Sequence, residues 1–227
     1  MKSRALVLTG AIVLACMARP TPENTKPERP APLDTVSNVS PWDTLPDTAL
    51  VDLSLLDSTI VLDIRYATKD NFTGQVLYPC PRCMLRLAVA RRLVRVNQWL
   101  TDRGYGLKVF DCYRPRSVQY LMWEVAPDSR FVANPDRASV HNRGAAVDVT
   151  VIDSSGRELD MGSGFDEFAE RSRLDWSGLT PEQRENRWLL REAMEREGFR
   201  PVSSEWWHFN AYDWEGYSVL DMPLDCK

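Results

Sequence analysis

Apolar and polar residues are arranged along several segments of the chain in patterns that predict β-strands. Residues 59–66 alternate apolar residues with polar or smaller ones, which predicts a half-buried strand. A second strand is predicted at residues 107–112. The continuous β-branched run at residues 145–152 is typical of a fully buried strand. Residues 202–210 are the last of these four predicted strands.

Three other segments carry the spacing and the end signals of helices. Apolar residues recur every three or four positions over residues 85–102. Residues 115–126 begin with proline, which is favoured in the first turn of a helix. Residues 180–198 begin with a capping box formed by Thr180 and Gln183. We therefore predict a single α+β domain with a mostly antiparallel central sheet flanked by helices.

The N-terminus lacks these patterns and indicates export. Lys2 and Arg4 precede an apolar stretch, residues 5–15, that is too short to span a bilayer and is typical of a signal peptide. The stretch ends in Val-Leu-Ala-Cys, which resembles the lipobox of bacterial lipoproteins. We assign residues 1–16 to a lipoprotein signal peptide with Cys16 as the acylated residue. An ordinary cleaved signal and an N-terminal core helix are the alternatives.

Composition separates a tether from the folded part. Residues 17–47 contain seven of the fifteen prolines and almost no apolar periodicity, which predicts a solvated tether. Residues 48–227 remain for the domain, and 44% hydrophobic residues in the chain suffice for one ordinary core. The net charge of −4 argues against nucleic acid as the main partner. The only membrane contact we expect is the N-terminal lipid anchor, and we infer no obligate protein partner.

Besides Cys16 the chain has four cysteines, an even number that favours two disulfides in an exported protein. They are Cys80, Cys83, Cys112 and Cys226. Three pairings are possible and the sequence alone does not choose among them; for one bridge we favour Cys83–Cys112. The Cys80-Pro-Arg-Cys83 spacing could also indicate a zinc knuckle or a redox motif, but neither a second such pair nor a thioredoxin-like βαβ pattern accompanies it.

Both histidines of the chain lie in patterned segments. His141 precedes the predicted buried strand that Asp148 interrupts, and a carboxylate in an apolar strand is costly unless a cation meets it. Two imidazoles and one buried carboxylate suit a catalytic zinc whose fourth position is left to water. Glu205, three residues before His208, is then the candidate base for that water. Taken singly, His141 could be a satisfied polar residue and Asp148 a turn or bulge residue.

The positions of Glu205 and His208 set a condition on the local structure. On a regular strand, residues three apart point to opposite faces. Both side chains can therefore reach one metal only if Glu205 lies in a bend or bulge before the strand proper. We expect this feature at residues 204–206.

The spacing of these candidates resembles that of a known family. The two motifs are Ser139-x-His141-x-x-Gly144-x-Ala146-x-Asp148 and Glu205-Trp206-Trp207-His208. They resemble the zinc D,D-peptidase superfamily, which includes the D-alanyl-D-alanine dipeptidases. Further blocks similar to the dipeptidase branch, the group of the vancomycin-resistance dipeptidase, lie between about residues 60 and 210. They are Tyr66-Ala67-Thr68, Asn71-Phe72-Thr73-Gly74, Asp111-Cys112-Tyr113-Arg114-Pro115, Met161-Gly162-Ser163 and Phe165-Asp166.

The resemblance implies a D,D-peptidase/hedgehog-like fold and one Zn²⁺ per chain. It implies that His141, Asp148 and His208 are the metal ligands. Glu205 would then carry the proton from the attacking water to the leaving amine. Arg114 matches the family arginine that stabilises the charge of the tetrahedral intermediate.

The resemblance also implies residues on the substrate side. Asp166 would meet the ammonium group of the substrate, and Tyr66 and Ser139 would line the site, with Asp111 beside them. The alternative for Asp166 is an acidic residue at the start of a helix. The alternative for Arg114 is a salt bridge to Asp111, and both roles are compatible if Asp111 orients Arg114.

The implied activity is zinc-dependent hydrolysis of the dipeptide D-alanyl-D-alanine to free D-alanine, in the turnover of cell-wall peptides. A near alternative is a D,D-carboxypeptidase or L,D-endopeptidase acting on peptidoglycan stem peptides. A third is a non-catalytic, zinc-stabilised wall-binding lipoprotein, against which the presence of Glu205 and Arg114 argues. We expect a periplasmic or cell-surface location with a lipid anchor in a bacterial membrane.

Overall fold

The computed structural model describes residues 40–226, so the signal-peptide assignment and the tether up to residue 39 lie outside the described residues. The first element is a 3-10 helix at Pro41–Thr44. Arg91 donates a hydrogen bond to the carbonyl oxygen of Trp42 (3.0 Å) and pairs with Asp43 (3.1 Å). The end of the predicted tether, residues 40–47, therefore contacts the folded domain.

The described residues contain seven strands and four α-helices. Strands β1 to β7 are Leu50–Asp52, Val61–Leu62, Met84–Arg86, Gly106–Asp111, Ala146–Ile152, Phe199–Pro201 and His208–Ala211. Helices α1 to α4 are Leu53–Leu56, Leu87–Thr101, Arg116–Val125 and Pro181–Arg196. No helix among residues 40–226 has the length and hydropathy needed to cross a bilayer.

The main sheet has five strands in the order β2-β4-β5-β7-β6. Only the β2–β4 pair is parallel, so the predicted mostly antiparallel sheet and the α+β class are confirmed. Every residue of the central strand β5 is buried. The register sets Asp148 of β5 opposite Asp111 of β4 and opposite His208 of β7. Three polar residues thus form one row across the sheet.

Helix α2 packs against this sheet with a continuous apolar face, which includes Leu93, Val96 and Leu100. It begins two residues later than predicted because Met84–Arg86 pairs with β1 as a separate two-stranded sheet. Helix α4 begins as predicted, with the Thr180 hydroxyl accepting from the Gln183 N–H. Helix α3 also agrees with the sequence prediction.

Two of the predicted strands are shorter than the pattern indicates. Residues 65–67 form a 3-10 turn, and the Tyr66 carbonyl accepts hydrogen bonds from the N–H groups of Leu77 and Tyr78 (both 2.8 Å) instead of from the sheet. Residues 202–207 form the loop between β6 and β7. In that loop the N–H of Trp206 donates to the Ser172 carbonyl (3.0 Å), which directs the backbone away from the strand ladder.

All four cysteines outside the signal region are paired. The bridges are Cys83–Cys112, as favoured from the sequence, and Cys80–Cys226. The Cys80-Pro-Arg-Cys83 pair is thus divided between two disulfides, which contradicts both a redox motif and a zinc knuckle. The second bridge joins residues separated by 146 positions and attaches the C-terminal segment to the domain.

Candidate metal centre and catalytic site

His141 lies in a 3-10 helix, Val140–Arg143, that leads into β5. The Ser139 hydroxyl accepts from the His141 N–H at the start of this helix (3.3 Å), and Gly144 ends it with a left-handed backbone (φ +68°). A side chain at Gly144 would also collide with Leu50, since a Cβ there lies 2.8 Å from Leu50 Cδ1. Glycine at this position is what lets the chain turn from the histidine into the buried strand.

The three predicted ligands converge. One ligand atom each from His141, Asp148 and His208 can be chosen such that all lie within 4.8 Å of one another. His141 Nε2 is 3.1 Å from His208 Nδ1, and Asp148 Oδ1 is 3.0 Å from His208 Nδ1. Burial alone would raise the pKa of Asp148, but the two imidazoles hold it well below its usual range. The carboxylate is therefore ionised and suited to a cation.

The remaining ring nitrogens of both histidines have oxygen partners. His141 Nδ1 lies 2.7 Å from the carbonyl oxygen of Cys112, and His208 Nε2 lies 2.9 Å from the side-chain oxygen of Asn210. Since these oxygens only accept hydrogen bonds, the two nitrogens carry the protons. His141 Nε2 and His208 Nδ1 face Asp148 and would each offer a lone pair to a bound metal ion. Two imidazoles, each oriented by a hydrogen bond, and a carboxylate fit a zinc ion.

Glu205 lies in the loop between β6 and β7, so the predicted departure from the strand before His208 is confirmed. Its Oε2 is 3.9 Å from His208 Nδ1. Burial raises the pKa of the Glu205 carboxyl to about 7, although His208 opposes the shift. The carboxylate can therefore accept and release a proton near neutral pH.

Arg114 borders the same cavity and is buried. Its Nε and Nη2 donate to Asp111 Oδ2 (3.1 and 2.7 Å), and its Nη1 donates to Gln119 Oε1 (2.8 Å). Burial opposes the positive charge, but Asp111 together with Tyr66, Tyr78 and Asp148 raises the pKa of Arg114 well above its usual range. Arg114 thus forms the predicted salt bridge with Asp111 and also lines the cavity, and its role toward the oxyanion stays a prediction.

The structure contradicts the placement of Asp111 among the substrate contacts. The residue has 0% exposure and lies behind Arg114. One carboxylate oxygen receives Arg114, and the other accepts a hydrogen bond from the Tyr78 hydroxyl (2.7 Å). With both oxygens occupied by protein donors, Asp111 orients Arg114 and does not reach a ligand.

Tyr66, Ser139 and Asp166 line the cavity as predicted, and its volume is about 250 Å³. Asp166 accepts from the Tyr66 hydroxyl (3.1 Å) and the Phe72 N–H (3.5 Å). Burial and the charge of Asp148 raise the pKa of Asp166 to about 7. Asp166 lies in a turn with a left-handed backbone (φ +57°), so the alternative of a helix start is wrong.

Three residues around the site were missed from the sequence. Tyr78 supports Asp111, Gln119 joins Arg114 to the Ala133 carbonyl (2.8 Å), and Asn210 orients His208. Gln119 lies on the buried face of α3, where a polar residue is a signal in itself. Asn210 shares a strand face with His208 because the two are two residues apart.

A buried centre of two histidines and one aspartate, with a carboxylate base and an arginine facing one cavity, defines a metal-dependent peptidase site. Residues 46–220 match the peptidase M15 family model, described as D-ala-D-ala dipeptidase, and the chain belongs to this family.

Two relatives, both D-alanyl-D-alanine dipeptidases, are similar over most of their length. The Escherichia coli (strain K12) protein is 36% identical over 179 residues, 79% of this chain and 93% of that protein. The Enterococcus faecium protein is 35% identical over 185 residues, 71% of this chain and 91% of that protein. A solved structure of the vancomycin-resistance D,D-pentapeptidase VanY with Zn(II) aligns over 59% of this chain and 75% of that chain, with 19% identity and a TM-score of 0.39.

Proposed function

We propose that this protein hydrolyses D-alanyl-D-alanine to two molecules of D-alanine with the help of one zinc ion. The observation that carries this proposal is the convergence of the three metal ligands with Glu205 and Arg114 at one cavity. Membership of the D-ala-D-ala dipeptidase family supports the choice of substrate.

His141 Nε2, Asp148 and His208 Nδ1 would hold the zinc. When bound, zinc would polarise the scissile carbonyl and lower the pKa of the attacking water to about 7. Glu205 accepts a proton from that water at its carboxylate and then donates it to the nitrogen of the leaving amine. Burial raises the pKa of Glu205, which favours its ability to hold the proton between the two transfers.

Arg114 stabilises the negative charge that develops on the carbonyl oxygen. A guanidinium has five N–H donors, and three hydrogen bonds join Arg114 to Asp111 and Gln119. Two donors are left for the cavity side. Because Asp111 and Gln119 hold the plane of the guanidinium, little reorganisation is needed as the charge forms.

The cavity has room for a small ligand such as a dipeptide, with a volume of about 250 Å³. Phe72, Phe131 and Phe168 border it, with the Phe131 and Phe168 rings stacked at 4.7 Å. Asp166, buried within it, can accept hydrogen bonds from the substrate ammonium.

The test is to incubate zinc-loaded protein with D-Ala-D-Ala, a stem pentapeptide and L-Ala-L-Ala and to measure released alanine. We expect release from D-Ala-D-Ala alone, and its loss after chelation and return with added zinc. Release from the pentapeptide but not the dipeptide would replace this proposal with a carboxypeptidase. Metal binding without release from any of the three would favour the wall-binding alternative.

We also propose that the protein is exported, anchored by a lipid on Cys16, and active in cell-wall peptide turnover outside the cytoplasm. Lys2, Arg4 and the apolar residues 5–15 support export, and the Val-Leu-Ala-Cys sequence supports the anchor. The pairing of all four other cysteines in disulfides is also in keeping with an oxidising compartment. Metabolic labelling with a radioactive fatty acid tests the anchor, and a Cys16→Ala variant should take up no label.

A further inference from the structure

The Cys83–Cys112 disulfide lies directly behind the metal site. Both cysteines are in the core, with 0% and 1% exposure. Cys112 follows the end of β4, and its carbonyl oxygen accepts the hydrogen bond from His141 Nδ1 (2.7 Å). The bridge therefore holds the residue whose backbone sets the orientation and tautomer of a metal ligand.

The other end of the bridge is attached to the same region. Cys83 immediately precedes β3, where the Met84 carbonyl accepts from the Tyr113 N–H (2.9 Å). Two residues further, the Arg86 N–H donates to the Gly144 carbonyl at the end of the 3-10 helix that carries His141 (2.9 Å). Strand β3 thus contacts both the segment after β4 and the segment that carries His141. The disulfide joins the residue before β3 to the residue after β4.

We propose that the Cys83–Cys112 disulfide positions His141, so that its formation raises the affinity of the site for zinc and its reduction lowers that affinity. The inference rests on the proposed zinc-dependent function. Loss of a group that orients a ligand typically lowers metal affinity by about 10–100-fold. Because breaking the bridge leaves the Cys112 carbonyl present but less firmly held, we expect the low end, roughly 10-fold.

The chemistry requires a reductant, for which we name a dithiol. Its thiolate attacks one sulfur of the bridge and the Sγ–Sγ bond breaks, which gives a mixed disulfide and one free cysteine thiol. The second thiol of the reductant then displaces the other cysteine. Two electrons and two protons have passed to Cys83 and Cys112, and the dithiol has become a cyclic disulfide.

The second bridge is a matched control. Cys80–Cys226 closes a separation of 146 residues, against 29 for Cys83–Cys112, so its loss should cost at least as much stability. Among residues 40–226, neither Cys80 nor Cys226 hydrogen-bonds to a metal ligand, whereas the Cys112 carbonyl accepts from His141 Nδ1. The C-terminal segment also keeps a separate attachment, in which the Met222 N–H donates to the Tyr113 hydroxyl (2.7 Å).

The experiment compares zinc dissociation constants of the wild type, Cys83→Ala/Cys112→Ala and Cys80→Ala/Cys226→Ala by competition with a chromophoric chelator. Circular dichroism and thermal unfolding of each metal-free protein establish that it is folded. We expect roughly 10-fold weaker binding only in the first variant. Equal affinity in all three proteins, or equal weakening in both variants, would overturn the proposal. Failure of the wild type to bind zinc would instead refute the proposed function.

A second measurement needs no variant and applies even if Cys83→Ala/Cys112→Ala does not fold. If the bridge favours zinc, linkage requires that zinc favours the bridge by the same factor. The wild type is equilibrated with mixtures of reduced and oxidised dithiothreitol, at zero or fixed free zinc, and each bridge is quantified by alkylation and mass spectrometry. Zinc should shift by about 10-fold the ratio of reduced to oxidised dithiothreitol at which the Cys83–Cys112 bridge is half reduced. For Cys80–Cys226 this ratio should not change. An unshifted Cys83–Cys112 bridge would refute the coupling.

Discussion

Replacement of Arg114 by lysine tests the catalytic arrangement most directly. The guanidinium makes three hydrogen bonds to Asp111 and Gln119, and its Cζ lies 5.1 Å from the centroid of the Tyr66 ring. Lysine keeps the positive charge beside buried Asp111. An alanine would leave that carboxylate unpaired, which typically costs about 3–5 kcal/mol of stability and would confound the assay.

A single ammonium cannot make both the pair with Asp111 and the planar donor array toward the cavity. Removal of one oxyanion donor usually lowers kcat by about 10²–10³-fold, or about 2.7–4 kcal/mol of transition-state stabilisation. We therefore expect Arg114→Lys to lose about 10²-fold or more in kcat with little change in KM. Zinc content should stay at one per chain, because Arg114 is not a ligand.

The assay is steady-state release of D-alanine from D-Ala-D-Ala, with metal content measured on the same samples. Arg92→Lys is the matched control, since Arg92 also forms a bidentate pair with a carboxylate, that of Asp213 (2.7 and 2.8 Å), away from the cavity. It should keep wild-type kcat. A variant of Arg114 with wild-type kcat and raised KM would refute the oxyanion role and assign Arg114 to substrate binding.

Four other predictions follow from the site and from the N-terminus. Glu205→Ala should keep zinc and lose about 10²–10⁴-fold in kcat, whereas His208→Ala should lose zinc. Metal analysis together with kinetics distinguishes the two variants. Loss of zinc in Glu205→Ala would reverse the assignment of base and metal ligand. As the pH drops through the pKa of Glu205, kcat/KM should fall. Burial raises this pKa to about 7, and a bound cation would lower it. The variant Glu205→Ala should lack this decline. The oxidised protein, once unfolded, should expose no reactive thiol among its four bridged cysteines in a thiol titration, and the Cys83–Cys112 bridge should contribute roughly 3–4 kcal/mol to stability. In a host that uses D-Ala-D-Ala as a precursor, full-length protein should leave the cytoplasmic pool of this dipeptide intact. A version that starts at Ser40 and is retained in the cytoplasm should deplete the pool if it folds there. Equal depletion by both, with full-length protein in the soluble cytoplasm, would overturn export.

The convergence of His141, Asp148 and His208 was predictable because their chemistry is visible in local patterns. Asp148 stands out in an apolar strand, and both histidines lie beside patterned segments. The position of Glu205 before the strand followed from the two-residue period of strands and the requirement that Glu205 and His208 reach one metal. The α+β class and helices α3 and α4 followed equally from spacing and end signals.

Some of the contacts that sequence reasoning missed are long-range. Tyr78 lies 33 residues from Asp111, and Cys80 lies 146 from Cys226, separations at which no local pattern acts. Residues 202–207 have the composition of a strand, but hydrogen bonds to residues 172 and 174 compete with the sheet. The resemblance implies that Asp111 lies on the substrate side. Its burial behind Arg114 depends on the packing of Tyr78, which is distant in sequence and therefore not visible in a local pattern.

The row formed by Asp111, Asp148 and His208 has a consequence for how the enzyme can evolve. The row is set by backbone register, and a slip of one residue in β5 would turn Asp148 to the opposite face of the sheet. Single-residue insertions within β5 or β7 should therefore abolish metal binding outright. The loop at residues 127–138, which supplies part of the cavity wall, carries no such register constraint and can change in length. New substrate preferences can thus arise in this loop while the row of the sheet is inherited unchanged.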